Sequence, residues 1–173
     1  MIIHIVRHAE AIERTPEVPE EHRYLTRRGR RRFRKAARSL ATLGIEPDVI
    51  LTSPLIRSVQ TADILAEELR FKRELIVAGE LSPGFRPERL DELLKLHPQA
   101  TEVALVGHEP DLGLVTRALL GEEASLALPK GGTVSFKRSA SGTGETQFLQ
   151  LVTGSGRIVT SRGKALDRLR QGG

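Results

Sequence analysis

Asp48-Val49-Ile50-Leu51-Thr52-Ser53-Pro54-Leu55-Ile56-Arg57 reads as the end of a strand and the opening of a helix. Asp48–Leu51 is short, apolar and β-branched, the composition of a buried strand. Ser53 stands where a capping hydroxyl would, with Pro54 in the first turn. Leu55, Val59, Ala62, Leu65 and Leu69 then recur at helical spacing. The rest of the chain repeats this alternation. Ile2–Val6 is a first strand, followed by a polar loop containing Pro16 and Pro19. A helix runs from Thr26, in the N-cap position, to Leu43, with Gly44 ending it and Phe33, Ala36, Ala37, Leu40 and Leu43 forming its apolar stripe. Leu75–Ala78 is a third strand, closed by the turn residues Ser82-Pro83-Gly84. Pro87 opens a helix with Leu90, Leu93, Leu94 and His97 on one face. Glu102–Val106 is a fourth strand, and Asp111–Leu120 a further helix. Thr133–Lys137 and Gln147–Val152 flank a Ser/Gly-rich turn, Ser139–Gly144, and read as a hairpin. The pattern predicts an α/β fold: a single three-layer domain with a mostly parallel central sheet flanked by helices and C-terminal hairpin-like strands. The domain is expected over residues 1–160, with 161–173 as a basic tail forming a frayed helix.

A chain of 173 residues suits one such domain. It has no cysteine, which excludes a disulfide framework, a Cys-ligated metal or iron–sulfur site, and a cysteine nucleophile. The net charge of +5 and the run Arg27–Lys35 invite a nucleic-acid reading. That run lies on the helix whose apolar stripe faces the other way, so it reads as a solvated basic face, with the acidic stretch Glu13–Glu21 offering partners. Aromatic residues make up only 3% of the chain, too few for base-stacking platforms, which argues against nucleic acid as a partner. No run of about 18 apolar residues and no signal-peptide pattern occurs, so no membrane partner and a cytoplasmic location are expected.

In sheets of this kind, sites form beyond the carboxyl ends of the strands. The first strand ends in Arg7-His8, the second leads through Ser53 to Arg57 in the first turn of its helix, and the fourth ends in Gly107-His108. Two histidines and two arginines thus emerge at one sheet edge. Arginine forks match the oxygens of a phosphoryl group, and a helix N-terminus adds N–H donors. His4, His22 and His97 lie in a strand, a loop and a helix face, where a structural role suffices.

Four segments together resemble a known family. Val6-Arg7-His8-Ala9-Glu10, Leu25-Thr26-x-x-Gly29, Ser53-Pro54-x-x-Arg57-x-x-Gln60-Thr61 and Val106-Gly107-His108-Glu109-Pro110 resemble, in order, the signatures of the histidine phosphatase superfamily, also called phosphoglycerate mutase-like. The short chain, Leu81-Ser82-Pro83-Gly84 and Pro129-Lys130-Gly131 are similar to its compact SixA branch, the phosphohistidine phosphatases. The resemblance covers residues 2 to about 152, and Ala9 stands where the family usually has glycine. It implies that His8 is a nucleophile accepting the phosphoryl group, that Arg7, Arg57 and His108 bind its oxygens, and that neither metal nor other cofactor is used. Many relatives also place an acid–base Glu or Asp after the third strand, where this chain has Glu80. An alkoxide leaving group needs such an acid and an imidazole does not, so Glu80 is either a working acid or a bystander. Glu10 is a weaker candidate for that role. The implied partner is a phosphohistidine-bearing protein, for which the short Glu13–Tyr24 loop leaves an open site. The alternatives are a phosphatase for a small phosphomonoester and, from a different class, a nucleic-acid-binding module with an idle pocket.

Overall fold

Residues 1–139 and 146–171 are described by the computed structural model of the protein. Strand β1, Ile2–Arg7, is buried along its middle and sends Ile3 and Ile5 to one side of the sheet and Val6 to the other. Helix α1, Arg27–Thr42, starts at Thr26, whose side chain accepts from the Gly29 N–H, and stops at Leu43 before Gly44 at φ 70°. Its Phe33, Ala36, Ala37 and Leu40 are buried, while Leu43 is exposed. The following elements are β2, Val49–Thr52; α2, Ile56–Glu68; β3, Ile76–Val77; α3, Leu90–Lys95; β4, Glu102–Gly107; and α4, Asp111–Leu120. The chain closes with β5, Thr133–Lys137; β6, Gln147–Val152; β7, Ile158–Val159; and α5, Arg162–Arg170.

One seven-stranded sheet results, in the order β3-β2-β4-β1-β5-β6-β7. Its first four members are parallel, and β5, β6 and β7 add antiparallel neighbours. Buried side chains form two clusters. One joins α1 and α2 to β2, β4 and β6 through residues such as Phe33, Leu40, Leu65, Ile50 and Val106. The other joins α3, α4 and α5 to the opposite face through Leu93, Val115, Leu169, Ile5 and Phe136. Each helix buries one apolar stripe against a sheet face, which is what makes the domain a single three-layer α/β unit.

Several local expectations are revised. Helix α2 begins at Ile56, with Leu55 as its N-cap, and the Ser53 hydroxyl accepts from the Leu55 N–H at 3.3 Å while also meeting the site described below. Pro87–Arg89 is a 3-10 turn, and α3 is short: it ends at Lys95, leaving His97 beyond it, ahead of Pro98. The tail forms the expected helix but is docked, with Ala165, Leu166 and Leu169 buried in the second cluster. Strand β7 has no counterpart in the sequence reading, since two residues carry no period. The turn proposed over Ser139–Gly144 lies, beyond Ser139, outside the described residues, as do Gly172 and Gly173.

This topology places the site. Strands β1, β2 and β4 are neighbours and parallel, so the residues that follow them, His8, Ser53 and His108, arrive at one edge. Because β5 runs antiparallel to β1, the Pro129–Gly132 segment before it reaches that same edge.

Candidate active site

The backbone around His8 is held on both sides. Its N–H donates to the Gly107 carbonyl at 3.0 Å, its carbonyl accepts from Gly131 N–H at 3.1 Å, and Ala9 N–H donates to Thr61 Oγ1 at 3.0 Å. Thr61 in turn donates to the Arg57 carbonyl at 2.6 Å, tying the His8 loop to the first turn of α2. On the ring, Nδ1–H donates to the Ala9 carbonyl at 2.7 Å. That fixes the tautomer with Nε2 unprotonated, and Nε2 receives the Arg57 Nε–H at 3.3 Å. Burial is the main cause that pushes the His8 pKa down to about 3. The Ala9 hydrogen bond opposes this, and the charges of His108, Arg57 and Arg7 add to it. His8 is therefore a neutral imidazole at pH 7, with its Nε2 lone pair directed at a guanidinium.

The His108 ring lies 5.2 Å from that of His8, centroid to centroid. Its Nε2 meets Ser53 Oγ at 2.7 Å and Ser58 Oγ at 3.3 Å, while Nδ1 is buried without a hydrogen-bond partner among the described residues. Burial, helped by the charge of Arg57, lowers its pKa to about 4. With a serine hydroxyl donating to Nε2, a neutral His108 carries its proton on Nδ1, and that nitrogen is then a donor. A phosphoryl oxygen is a fitting acceptor for it.

Arg57 is almost fully buried and uses all three of its nitrogens. Besides His8, Nη1 donates to the Glu20 carbonyl at 2.7 Å and Nη2 pairs with Glu20 Oε1 at 2.9 Å. The loop expected to leave the site open thus folds a 3-10 turn, Glu20–His22, onto Arg57. Although burial opposes it, Arg14, Arg57 and Arg23 together hold the Glu20 carboxyl below its usual range, so it stays ionised. Arg7 points elsewhere. Its Nη1 donates to the Leu128 carbonyl and its Nε is buried without a partner, yet its charge still bears on His8. Glu80 sits half-buried in the 3-10 turn Gly79–Leu81 and makes no hydrogen bond or ion pair among the described residues. The structure therefore brings His8, Arg57 and His108 together, adds Arg7 through its charge, and leaves Glu80 outside their network. His4 has the expected structural role, buried between Ser135 and Glu102.

Residues 3–82 match the histidine phosphatase superfamily, branch 1. A protein of Picosynechococcus sp. with no characterised function is 33% identical over 144 residues, 81% of this chain and 87% of its own length. The chain belongs to the histidine phosphatase superfamily. Membership makes it a hydrolase of the phosphatase class. It is also similar to the mitochondrial serine/threonine-protein phosphatase Pgam5 of Drosophila ananassae, 34% identical over 73 residues. That match covers 42% of this chain but only a quarter of the fly protein. The structure of the protein histidine phosphatase SixA complexed with tungstate superposes with a TM-score of 0.78 at 23% identity, over 89% of this chain and 97% of that one. No described helix of this histidine phosphatase is long and apolar enough to cross a membrane.

Three features of this histidine phosphatase went unassigned in the sequence. Glu20 and the serines Ser53 and Ser58 reach their partners only through the fold, although Ser53 lies inside a quoted motif. Glu109 lies in another. Its Oε1 accepts from the Leu128 N–H at 3.1 Å and its carboxyl also accepts from Gly113, which joins the first turn of α4 to the segment that receives Arg7. Burial pushes the Glu109 pKa up to about 7, against the pull of those N–H groups and Arg7. The folded state thus favours the protonated carboxyl, and this contribution to stability, full below pH 4.5, is lost as pH rises through 7. Above pH 7 the ionised Glu109 offsets part of the Arg7 charge. Phosphoryl affinity is expected to weaken roughly fivefold from this effect. In KM-against-pH profiles, Glu109→Gln removes that step while other titrations remain; identical profiles for the two proteins exclude the coupling.

Proposed function

We propose that the protein hydrolyses phosphohistidine on a partner protein through a phosphoryl intermediate on His8. The observation that carries this reading is the neutral His8 ring, locked at Nδ1 by the Ala9 carbonyl and presenting Nε2 beside Arg57. In the first half-reaction the Nε2 lone pair forms a bond to phosphorus as the substrate P–N bond breaks. The Arg57 Nε–H that held the lone pair is released to a phosphoryl oxygen, and His108 Nδ1–H and Arg7 supply further positive character. The substrate ring reacts in the form protonated on its other nitrogen, so the imidazole departs neutral and no further proton from a general acid is required. In the second half-reaction water attacks phosphorus and the His8 N–P bond breaks, giving phosphate. One P–N bond replaces another in the first step, and that step is therefore close to balanced in energy. The scheme asks nothing of a metal.

The substrate choice rests on the acids. Glu80 lies outside the hydrogen-bond network, Glu20 is kept ionised by three arginines, and Glu109, although its pKa is pushed up to about 7, is held by the Leu128 and Gly113 N–H groups, so none of the three is set to protonate an alkoxide. Similarity to the SixA structure supports the same choice, and the cytoplasm, where phosphorylated partner proteins are reached without crossing a membrane, is the proposed location. A second reading, a phosphomonoesterase with Glu80 as acid, is favoured by the Pgam5 match. Parallel rate measurements on a phosphohistidine protein and a phosphoserine peptide separate the two. Phosphohistidine is expected to react faster by roughly 10²–10⁴-fold, the range a missing general acid accounts for, with Glu80→Gln leaving that rate unchanged. Faster phosphoserine hydrolysis, lost in Glu80→Gln, overturns the choice.

A further inference from the structure

A cavity of about 560 Å³ opens beside the site without including His8, Arg7, Arg57 or His108. Its floor is the Ala9–Glu10 segment, directly after the nucleophile candidate, and its walls come from α1, the Pro129–Gly131 segment, the turn after β6 and the end of α5. Five cationic side chains converge on it: Arg28 and Arg32 from the basic run on α1, Lys130, Arg157, and Arg168 from the C-terminal helix. Glu10 is the one acidic residue among the described residues of its lining, and it is engaged already by Thr26 at 2.9 Å and Arg28 at 3.5 Å. The side chains of Arg32, Lys130, Arg157 and Arg168 have no hydrogen bond or ion pair among the described residues. Their neighbours on the same helices do: Arg34 and Arg38 pair with Glu67 and Glu68 of α2, and Arg162 and Arg170 with Glu122. Four of the five cations that line the cavity thus carry no carboxylate partner among the described residues.

The cavity is also built by close backbone contact. A Cβ on Gly29 would collide with the Glu10 carbonyl, and one on Gly154 with the Lys130 carbonyl. These two glycines let four backbone segments meet in two close pairs, so the cations are held around a preformed concavity. Its volume lies in the range of small-molecule sites and differs from the flat surface that a protein or a duplex would cover. Phe33, the aromatic side chain in the lining, is fully buried, which leaves no platform for stacking a base. What remains is recognition of several negative charges by guanidinium forks and an ammonium, the chemistry of phosphate groups.

We propose that this cavity binds an oligophosphate, a ligand with two or more linked phosphoryl groups, at a site separate from the phosphoryl-transfer pocket. Inorganic tripolyphosphate and a nucleoside triphosphate share that chemistry, and both bind through the phosphate chain. The occupant rests against the Ala9–Glu10 segment, directly after His8 in the chain.

Titration calorimetry with tripolyphosphate and, separately, with ATP tests this on the full chain. The paired substitution Arg32→Ala/Arg157→Ala is expected to weaken tripolyphosphate at least tenfold. Arg27→Ala/Arg31→Ala, which removes as much charge from the run outside the cavity, is expected to stay within twofold. Arg57→Ala is expected to retain one bound tripolyphosphate. The tighter of the two ligands identifies the source, inorganic chain or nucleotide. Three results overturn the proposal: no binding by either ligand, equal losses in the two paired variants, or loss confined to Arg57→Ala. Tighter binding of a single-stranded RNA or an acidic peptide, abolished by the same Arg32/Arg157 pair, overturns it as well.

Discussion

Replacing His8 with alanine is expected to abolish turnover, a loss on the order of 10⁴-fold or more, and to eliminate the phosphoenzyme. Arg57, His108 and Arg7 can hold a phosphoryl group, but none presents a free lone pair: the arginines have none and the His108 Nε2 is engaged by Ser53 and Ser58. The intermediate itself is read by trapping: wild-type protein quenched during turnover carries phosphate that is labile in acid and stable in alkali, and the alanine variant carries none. Undiminished turnover in His8→Ala removes the mechanism altogether. The pH dependence offers a second reading of the same residue. With its pKa pushed down to about 3 by burial, His8 stays neutral, its Nε2 lone pair kept, through the region near 6.5 where an ordinary histidine protonates. The acid limb due to His8 therefore lies below about pH 4. Stability follows with a defined sign. The unfolded chain binds a proton at His8 near pH 6.5 and the folded one does not until about 3, so stability falls as pH drops through that interval. His108, pushed down to about 4, acts in the same direction. His8→Ala should accordingly show a shallower loss of stability in acid, measured by denaturant unfolding at pH 7 and pH 4.5.

The division between what the sequence disclosed and what it withheld follows the range of the interactions. Strands and helices rest on local periodicity and capping. Accordingly β1, β2, α1, β4, α4 and the β5–β6 pair lie within a residue or two of where their patterns place them, and β1, β2 and β4 deliver His8, Ser53 and His108 to one edge. Exceptions arise where a residue with a strong local meaning has a tertiary one. Ser53 has the look of a cap, but its hydroxyl belongs to His108, and the helix starts three residues later. The partners of Arg57 and Arg7 are separated from them by 37 and 121 residues, and no spacing in the chain announces such contacts. The basic run shows the same limit. Its helix is amphipathic as read, but Arg34 is met by Glu67 and Glu68 from α2 and not by the Glu13–Glu21 stretch, whose Glu20 serves Arg14, Arg23 and Arg57. Arg28 and Arg32 share a cavity with Arg168, which is distant in sequence and joins them because α5 is docked.

Arg57 is where the second large effect is expected. Arg57→Ala should lower kcat by about 10²–10³-fold, the magnitude of losing a preorganised donor to developing charge. This residue combines two tasks that separate in different variants. As a donor it holds His8 Nε2 at 3.3 Å, and in the proposed mechanism that donor transfers to the phosphoryl oxygens as the bond to phosphorus forms. As a cation it anchors Glu20 through both the carbonyl and the carboxylate. Arg57→Lys keeps the charge but loses the planar fork, and it should recover less than about tenfold of the alanine defect, because one ammonium cannot serve His8 and Glu20 at once. Stability should change less than activity. Glu20 keeps Arg14 and Arg23 as partners and is partly exposed, so its carboxylate is not stranded when Arg57 is removed. Steady-state kinetics on the alanine and lysine variants, with unfolding curves for each, resolve the two tasks. If Arg57→Lys matches the wild type, a positive charge alone is sufficient at this position, and the donor transfer from His8 to phosphoryl oxygen plays no part.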